Sequence, residues 1–166
     1  MKGMNQETGK AMETEAVDLM DLAKELPKRQ RGRACIILTR NYPQQKAWAT
    51  KLAGLVGVDH LNLLDELADA DPTFKMAGLS VDGLFKYLEN RSESPLLIVS
   101  GLEFIKATWA YNPRRTMGQL AQQVEMWSRK PALLFVTQYD TLLAKMKFSR
   151  FSNLRFVVDQ QNTISL

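Results

Sequence analysis

Basic side chains gather in three short stretches of the chain, and clusters of this kind can form a binding site for a polyanion. Residues 28–33 contain four Lys or Arg, and Arg114 and Arg115 are adjacent. Residues 145–155 contain four more, with two phenylalanines between them. Many surface cations serve only to keep a protein soluble, so each stretch permits a polyanion site without requiring one.

The cysteine and histidine content argues against several kinds of site. The chain has one Cys and one His, whereas a zinc site needs four such ligands, or three and a water. His60 has no catalytic motif around it, and Cys35 has no second cysteine with which to form a disulfide. A lone cysteine in an apolar run favours a reducing compartment, the cytoplasm or, in a eukaryote, the nucleus. We expect no metal and no cofactor.

The composition is typical of one soluble globular domain. Of the 166 residues, 45% are hydrophobic and 24% are charged, which is enough apolar material for a core. The longest apolar runs are far shorter than the roughly 20 residues of a membrane helix. The first residues include acidic side chains and lack the apolar segment of a secretory signal. Function is therefore expected from nucleotide chemistry, from binding, or from protein partners, and not from a membrane.

Three apolar runs without polar alternation indicate strands that are buried on both faces. These runs are 34–39, 96–99 and 132–137. Between these runs, apolar residues recur at helical spacing after Pro43, after Ser80 and over 114–129. This alternation predicts an α/β fold, with a mostly parallel sheet that helices cover on both faces.

The two ends of the chain carry further elements. Apolar residues recur at helical spacing over Met12–Leu26, which predicts an amphipathic helix within an N-terminal segment, residues 1–30, that precedes a single α/β domain, residues 31–166. Residues 154–158 and 163–166 read as strands around a turn, which predicts a closing β-hairpin. The segment His60–Leu64 fits a short strand, and a helix from Asp59 fits nearly as well.

The order of these elements resembles the RecA-like branch of P-loop ATPases over residues 32–166. A strand, a loop and a helix are followed by the strand Leu-Leu-Ile-Val-Ser-Gly-Leu-Glu (96–103) and a long helix. The strand Leu-Leu-Phe-Val-Thr-Gln (133–138) comes next. The resemblance implies that the first loop corresponds to the phosphate loop, the second strand to the one that ends in a magnesium-binding carboxylate, and the third to the one that ends in a polar sensor.

The residues at these positions depart from the family pattern. A phosphate loop needs G-x-x-x-x-G-K-[ST], because its backbone N–H groups, lysine and hydroxyl hold phosphates and magnesium. Here residues 40–47 read Arg-Asn-Tyr-Pro-Gln-Gln-Lys-Ala, which keeps Lys46 but lacks both glycines and the hydroxyl. Ser100 and Gly101 stand where the carboxylate belongs, while Gln138 matches the sensor. We predict that the ATP site is lost and that the protein is not an enzyme.

Two loops of the resembled family contact single-stranded DNA, and both fall beyond carboxyl ends of predicted strands, where α/β sheets bind ligands. In this chain they combine cations for phosphates with rings for base stacking. The candidate nucleic-acid-binding residues are Trp109, Tyr111, Arg114, Arg115, Lys145, Lys147, Phe148 and Arg150. The alternative is that Trp109 and Phe148 lie in the core and that the cations only solvate the surface.

Three hypotheses follow from these observations. The first is a non-catalytic adaptor in a DNA-associated complex of the recombination or repair type, similar to degenerate recombinase paralogues, or a protein-interaction regulator similar to the SulA-like cell-division inhibitors. The second is a module that binds nucleic acid through the two loops. The third is an ATPase with an atypical phosphate loop.

An adaptor needs a protein partner, in a hetero-complex or a homo-oligomer. Leu19, Met20 and Ala23 on the N-terminal helix could face that partner, or they could cap the chain's own sheet. The segment Phe74-Lys-Met-Ala77 also resembles the F-x-x-A motif by which recombinases dock on one another.

Overall fold

The structure is a computed structural model, and it describes residues 16–69, 79–109, 111–151 and 153–164. The strands are β1 (Val17–Asp18), β2 (Ala34–Thr39), β3 (Asp59–Asn62), β4 (Leu96–Ser100), β5 (Ala132–Gln138), β6 (Val157–Asp159) and β7 (Thr163–Ile164). The helices are α1 (Leu19–Glu25), α2 (Tyr42–Val56), α3 (Leu63–Asp69), α4 (Val81–Leu88), α5 (Glu103–Thr108), α6 (Pro113–Met126) and α7 (Thr141–Ala144). Short 3₁₀ turns follow α1 and β6.

Five of the strands form one parallel sheet in the order β3-β4-β5-β2-β6. A separate parallel pair joins β1 to β7. The sequence-based prediction of an α/β fold with a parallel sheet is confirmed. The predicted strands over 34–39, 96–99 and 132–137 are all present, because continuous apolar runs suit strands that are covered on both sides.

Alternate residues of β2 enter two different cores, because side chains of a strand point to opposite faces. Ala34, Ile36 and Leu38 join a cluster that includes residues of α4, α5 and α6. Cys35 and Ile37 join a second cluster with residues of α1 and α2. Helices thus cover both faces of the sheet, as the sequence predicts.

The Cys35 thiol is fully buried within the second cluster. Burial is the main reason that its pKa rises to about 12, so the thiol stays protonated at neutral pH. This environment suits a packing role for the side chain, since the thiolate is the reactive form of cysteine.

The N-terminal helix begins later than predicted. Asp18 caps it, because one carboxylate oxygen accepts hydrogen bonds from the backbone N–H groups of Met20 and Asp21. The preceding Val17 pairs with Thr163 in the small parallel sheet and cannot be helical. The part of the predicted helix before residue 16 lies outside the described residues.

The predicted partner-binding face of this helix is turned toward the chain's own sheet. Leu19 is fully buried, Ala23 is 2% exposed, and both belong to the cluster around Ile37. Met20 is half-buried. The expectation that Leu19 and Ala23 face a partner is therefore corrected: they cap the sheet, which is the other reading of the pattern.

The two C-terminal strands are present, but they do not form a hairpin. Strand β6 pairs in parallel with β2, and β7 pairs in parallel with β1. The 3₁₀ turn over Gln160–Asn162 separates them, and Asp159 accepts the backbone N–H of Gln161 at its start. The predicted hairpin is wrong, because each of these strands pairs in parallel with a strand from earlier in the chain and not with the other.

The helix boundaries follow local chemistry that the sequence already contains. Pro43 lies in the first turn of α2, and Gly57 ends that helix with a φ of 80°, a left-handed conformation that favours glycine. Ser80 caps α4 by accepting the N–H of Gly83. The apolar spacing after Pro43 includes Leu55 and would put it on the buried face of α2, but Leu55 is 51% exposed.

Residues 60–64 resolve the ambiguity between strand and helix, since β3 covers Asp59–Asn62 and α3 begins at Leu63. The Phe74–Ala77 motif lies outside the described residues. Within the parts of the chain that the structure describes, no helix combines the length and the apolar character needed to cross a bilayer.

Truncation of Leu19 tests the sheet-capping role of α1. We expect Leu19→Ala to lower the free energy of unfolding by about 2–5 kcal/mol, because it removes a fully buried side chain and leaves a cavity. Met20→Ala, next along the same helix but half-buried, is the matched control and should lower it by less. Urea denaturation measures both. Equal, small losses would contradict this packing.

Candidate functional site

The connection between β2 and α2 is too short to wrap around a phosphate. Strand β2 ends at Thr39 and the helix begins at Tyr42, so two residues lie between them. Most of the stretch that aligns with the phosphate loop is therefore helical, and its N–H groups after the first turn are used within the helix. Lys46 forms a 2.6 Å ion pair with Asp65.

The residues that replace the two glycines of the loop pattern are bound to other parts of the protein. Arg40 donates a 2.8 Å hydrogen bond to Asp159, and its guanidinium carbon lies 4.0 Å from the centre of the Tyr139 ring. Gln45 is buried, and its side-chain oxygen accepts the backbone N–H of Gly101 at 3.3 Å. Both side chains tie β2 and α2 to neighbouring strands.

A second polar group lies at the carboxyl ends of β4 and β5. One carboxylate oxygen of Glu103 accepts the Thr137 hydroxyl at 2.8 Å and lies 3.5 Å from the backbone nitrogen of Gln138, which donates to it. The Lys106 ammonium donates to the same hydroxyl oxygen at 3.3 Å and lies 3.9 Å from Asp140. Glu103, three residues beyond the position for a magnesium carboxylate, thus joins the two strand ends. Its other oxygen is buried and has no hydrogen-bond partner among the described residues.

His60 and Ser100 form a pair that the sequence did not reveal. The His60 Nε2 and Ser100 Oγ atoms lie 2.6 Å apart, and Thr50 Oγ1 lies 3.0 Å from His60 Nδ1. The Thr50 hydroxyl donates its proton to the backbone oxygen of Lys46, so it accepts from Nδ1–H. Nε2 is then unprotonated and accepts the Ser100 hydroxyl, while Asn62 donates to the same serine oxygen at 2.9 Å.

This proton arrangement is that of a serine activated by a neutral imidazole, but the geometry limits what it can do. Ser100 is fully buried at the end of a central strand, so its oxygen cannot reach a substrate in this conformation. Burial lowers the pKa of the His60 imidazole, the Lys46 ammonium lowers it further, and Asp65 opposes the shift. The neutral His60 side chain therefore links β3 to β4 through its hydrogen bond with Ser100.

Sequence reasoning missed this pair because its members come from different elements. Thr50 belongs to α2, His60 and Asn62 to β3, and Ser100 to β4. No local motif links positions so far apart, and the only signal was that His60 is the single histidine of the chain.

Two of the three aromatic candidates pack in or against the core. Trp109 is 7% exposed, and its indole N–H donates to the backbone oxygen of Leu79 at 2.8 Å. Phe148 is half-buried against the first cluster, with its ring centre 4.8 Å from that of Phe156. Trp109 is therefore not available to stack on a base in this arrangement, while Phe148 packs against the core and is partly exposed.

The remaining candidates at the carboxyl edge are exposed. Tyr111 is the most exposed of the large apolar side chains that the structure describes. Asn112 caps the next helix by accepting the N–H of Arg115, which places Arg114 and Arg115 in its first turn. These two arginines, together with Lys145 and Lys147 after β5, are exposed, and none of the four has an ion pair among the described residues.

Arg150 lies at the other edge of the sheet. Its backbone N–H donates to Glu125 at 2.9 Å, near the end of α6. Eleven helical steps separate Glu125 from Arg114, about 16 Å along the axis at ~1.5 Å per residue. The expectation that Arg150 joins Arg114 on one edge is corrected, because the chain after Lys147 runs back along the sheet to begin β6.

No protein-family model matches the chain, and no curated protein matches it.

The His60–Ser100 pair predicts a pH dependence of stability. The imidazole pKa is lower in the folded state than in the unfolded chain, so the unfolded chain binds more protons as the pH falls below about 6.5. The stabilising contribution is complete above that pH and is lost as the pH falls toward the folded-state pKa. We expect the difference in unfolding free energy between the wild type and His60→Gln to narrow from pH 7.5 to pH 5.5, measured by urea denaturation. Thr50→Val leaves the imidazole in place and is the control. The unfolding free energy of this variant should depend on pH as that of the wild type does. A constant or widening difference for His60→Gln would contradict the neutral pair.

Proposed function

We propose that the protein is a non-catalytic, RecA-like adaptor subunit of a DNA-associated complex, and that it contacts single-stranded DNA. The observation that carries the non-catalytic part is the short connection from β2 to α2, with Lys46 held by Asp65. A phosphate loop works by presenting free backbone N–H groups, and here residues 42–47 of the corresponding stretch are in α2. The Arg40 and Gln45 side chains of this stretch are also hydrogen-bonded within the protein.

The sheet order supports the RecA-like part of the proposal. The resemblance requires the ends of three strands to meet: the strand before the phosphate loop, the carboxylate strand and the sensor strand. These correspond to β2, β4 and β5, which are consecutive in the sheet as β4-β5-β2. Their carboxyl ends lie at one edge because all three are parallel.

The DNA-binding part of the proposal rests on a smaller set of side chains than the sequence suggested. It comprises Tyr111, Arg114, Arg115, Lys145 and Lys147, which we call the carboxyl-edge surface. The loop before α6 follows β4, and Lys145 and Lys147 follow β5, its neighbour in the sheet. Unpaired cations supply the electrostatic attraction for phosphates, and Tyr111 offers one ring for stacking.

The adaptor part is supported by exposed apolar side chains at the same edge. Tyr42 is 42% exposed at the start of α2, and Leu64 is 46% exposed just after β3. Together with Tyr111 they give this edge apolar contacts for a protein partner, a role that Leu19 and Ala23 cannot fill. Aromatic side chains with arginine nearby are the residue types enriched in protein interfaces.

Oligonucleotide binding tests the proposal. We expect the wild type to bind a fluorescein-labelled single strand in low salt, with the same affinity in the presence and absence of ATP and magnesium. The triple variant Tyr111→Ala/Arg114→Gln/Arg115→Gln should weaken binding at least about tenfold and reduce the salt dependence by about 2 units. Fluorescence anisotropy measures both quantities.

The control for lost charge is Lys51→Gln/Lys86→Gln, which removes two exposed lysines from other helices and should bind as the wild type does. The proposal fails if the wild type does not bind the single strand, if the triple variant behaves like the control, or if ATP is required for binding.

A further inference from the structure

The amino edge of the sheet, opposite the carboxyl-edge surface, carries a row of cations. Strands β5, β2 and β6 are neighbours in the sheet, and Lys130, Arg33 and Arg155 stand within two residues of their starts. Neighbouring strands are about 4.8 Å apart, so the three strand starts span about 10 Å. The sequence does not show this row, because 97 positions separate Arg33 from Lys130.

Hydrogen bonds fix the three segments relative to one another. The Arg33 N–H donates to the backbone oxygen of Trp127 at 2.8 Å, just before the Lys130 segment. The buried Arg29 guanidinium donates to the backbone oxygens of Gly32, at 3.0 Å, and of Arg155, at 3.2 Å. The row therefore has a defined backbone framework, in which Arg29 is structural and the other cations surround it.

The carboxylates near this edge are mostly engaged elsewhere. Glu25 pairs with Arg29 at 3.1 Å, and Glu89 lies 3.7 Å from Arg129. Glu125 is buried and accepts the backbone N–H groups of residues 150 and 151.

In contrast, six cations of this edge have no ion pair among the described residues: Lys28, Arg31, Arg33, Lys130, Arg150 and Arg155. Glu93 is the one exposed carboxylate that lines the cleft described next. The edge is thus strongly positive, which attracts a polyanion.

A cleft of about 620 Å³ opens between Arg33 and Lys130, with Pro27, Pro95 and Pro131 in its walls. One guanidinium nitrogen of Arg33 donates to the backbone oxygen of Pro27 at 3.0 Å. Its Nε is buried and has no hydrogen-bond acceptor among the described residues. Arg33 lines the cleft beside Lys130, so two cations flank this opening.

We propose that the amino edge binds the phosphodiester backbone of a nucleic acid, with one phosphate seated in the cleft between Arg33 and Lys130. The row extends past the cleft to Arg155, so it fits a chain of phosphates better than a single anion. Four of the six unpaired cations are arginines, whose planar forks bind phosphate oxygens in pairs. This surface is distinct from the carboxyl-edge surface and goes beyond the proposed function.

The test compares charge removal at the two edges in one anisotropy assay, with labelled single-stranded and duplex oligonucleotides. Lys130→Gln/Arg155→Gln is the principal variant, because both residues are exposed and their side chains have no hydrogen bonds among the described residues. We expect at least about tenfold weaker binding at low salt and a salt dependence smaller by about 2 units. Arg33→Gln, checked for folding by circular dichroism, should weaken binding further when added to that variant.

The carboxyl-edge variant Arg114→Gln/Arg115→Gln removes the same number of charges and tests the proposed function in the same assay, while Lys51→Gln/Lys86→Gln remains the control for lost charge. If both edges bind, each edge variant weakens binding and the control does not.

Loss of binding in Arg114→Gln/Arg115→Gln alone would overturn the amino-edge proposal and leave the proposed function intact. Loss of binding in Lys130→Gln/Arg155→Gln alone would support the amino-edge proposal and overturn DNA binding at the carboxyl edge. The amino-edge proposal also fails if the wild type binds no oligonucleotide, or if inorganic phosphate at low millimolar concentration displaces the bound oligonucleotide. It fails as well if the wild type sediments with phosphatidylserine vesicles but does not bind nucleic acid.

Discussion

Strand β2 hydrogen-bonds to a parallel neighbour on each side and buries its side chains on both faces, and the rest of the fold depends on this double burial. From Ala34 to Thr39 no side chain is more than 1% exposed. Residues facing one way join the cluster under α4, α5 and α6, and those facing the other way join the cluster under α1 and α2. Any loss of packing in β2 therefore weakens both cores at once.

The same strand fixes what lies at the two edges of the sheet. At its carboxyl end the chain turns at once into α2. Nearby, Gln45 accepts the backbone N–H of Gly101, His60 bonds to Ser100, and Glu103 accepts the Thr137 hydroxyl. They act as ties between elements, which leaves the exposed cations to interact with other molecules. At its amino end Arg33 lies between the starts of β5 and β6, so pairing in the sheet brings together cations from distant parts of the sequence.

The sequence predicted those features that depend on local pattern. Apolar runs located β2, β4 and β5, and Pro43, Gly57 and Ser80 marked the ends of helices, because capping and buried-strand patterns are local. It did not predict the pairing of β6 and β7 or the His60–Ser100 pair, and it left open whether Trp109 is buried. Each of these depends on contacts between segments that are distant in the chain. The local sequence around an aromatic residue does not show whether its side chain is exposed or buried.

We propose that the short exit of β2 into α2 does not hold the phosphates of a nucleotide. Isothermal titration calorimetry of the wild type with ATP and magnesium tests it most directly. We predict no saturable binding in the micromolar range, because both glycines of the phosphate-loop pattern are missing and the N–H groups next to Lys46 are used within the helix. A saturable micromolar isotherm that Lys46→Ala abolishes would contradict the account.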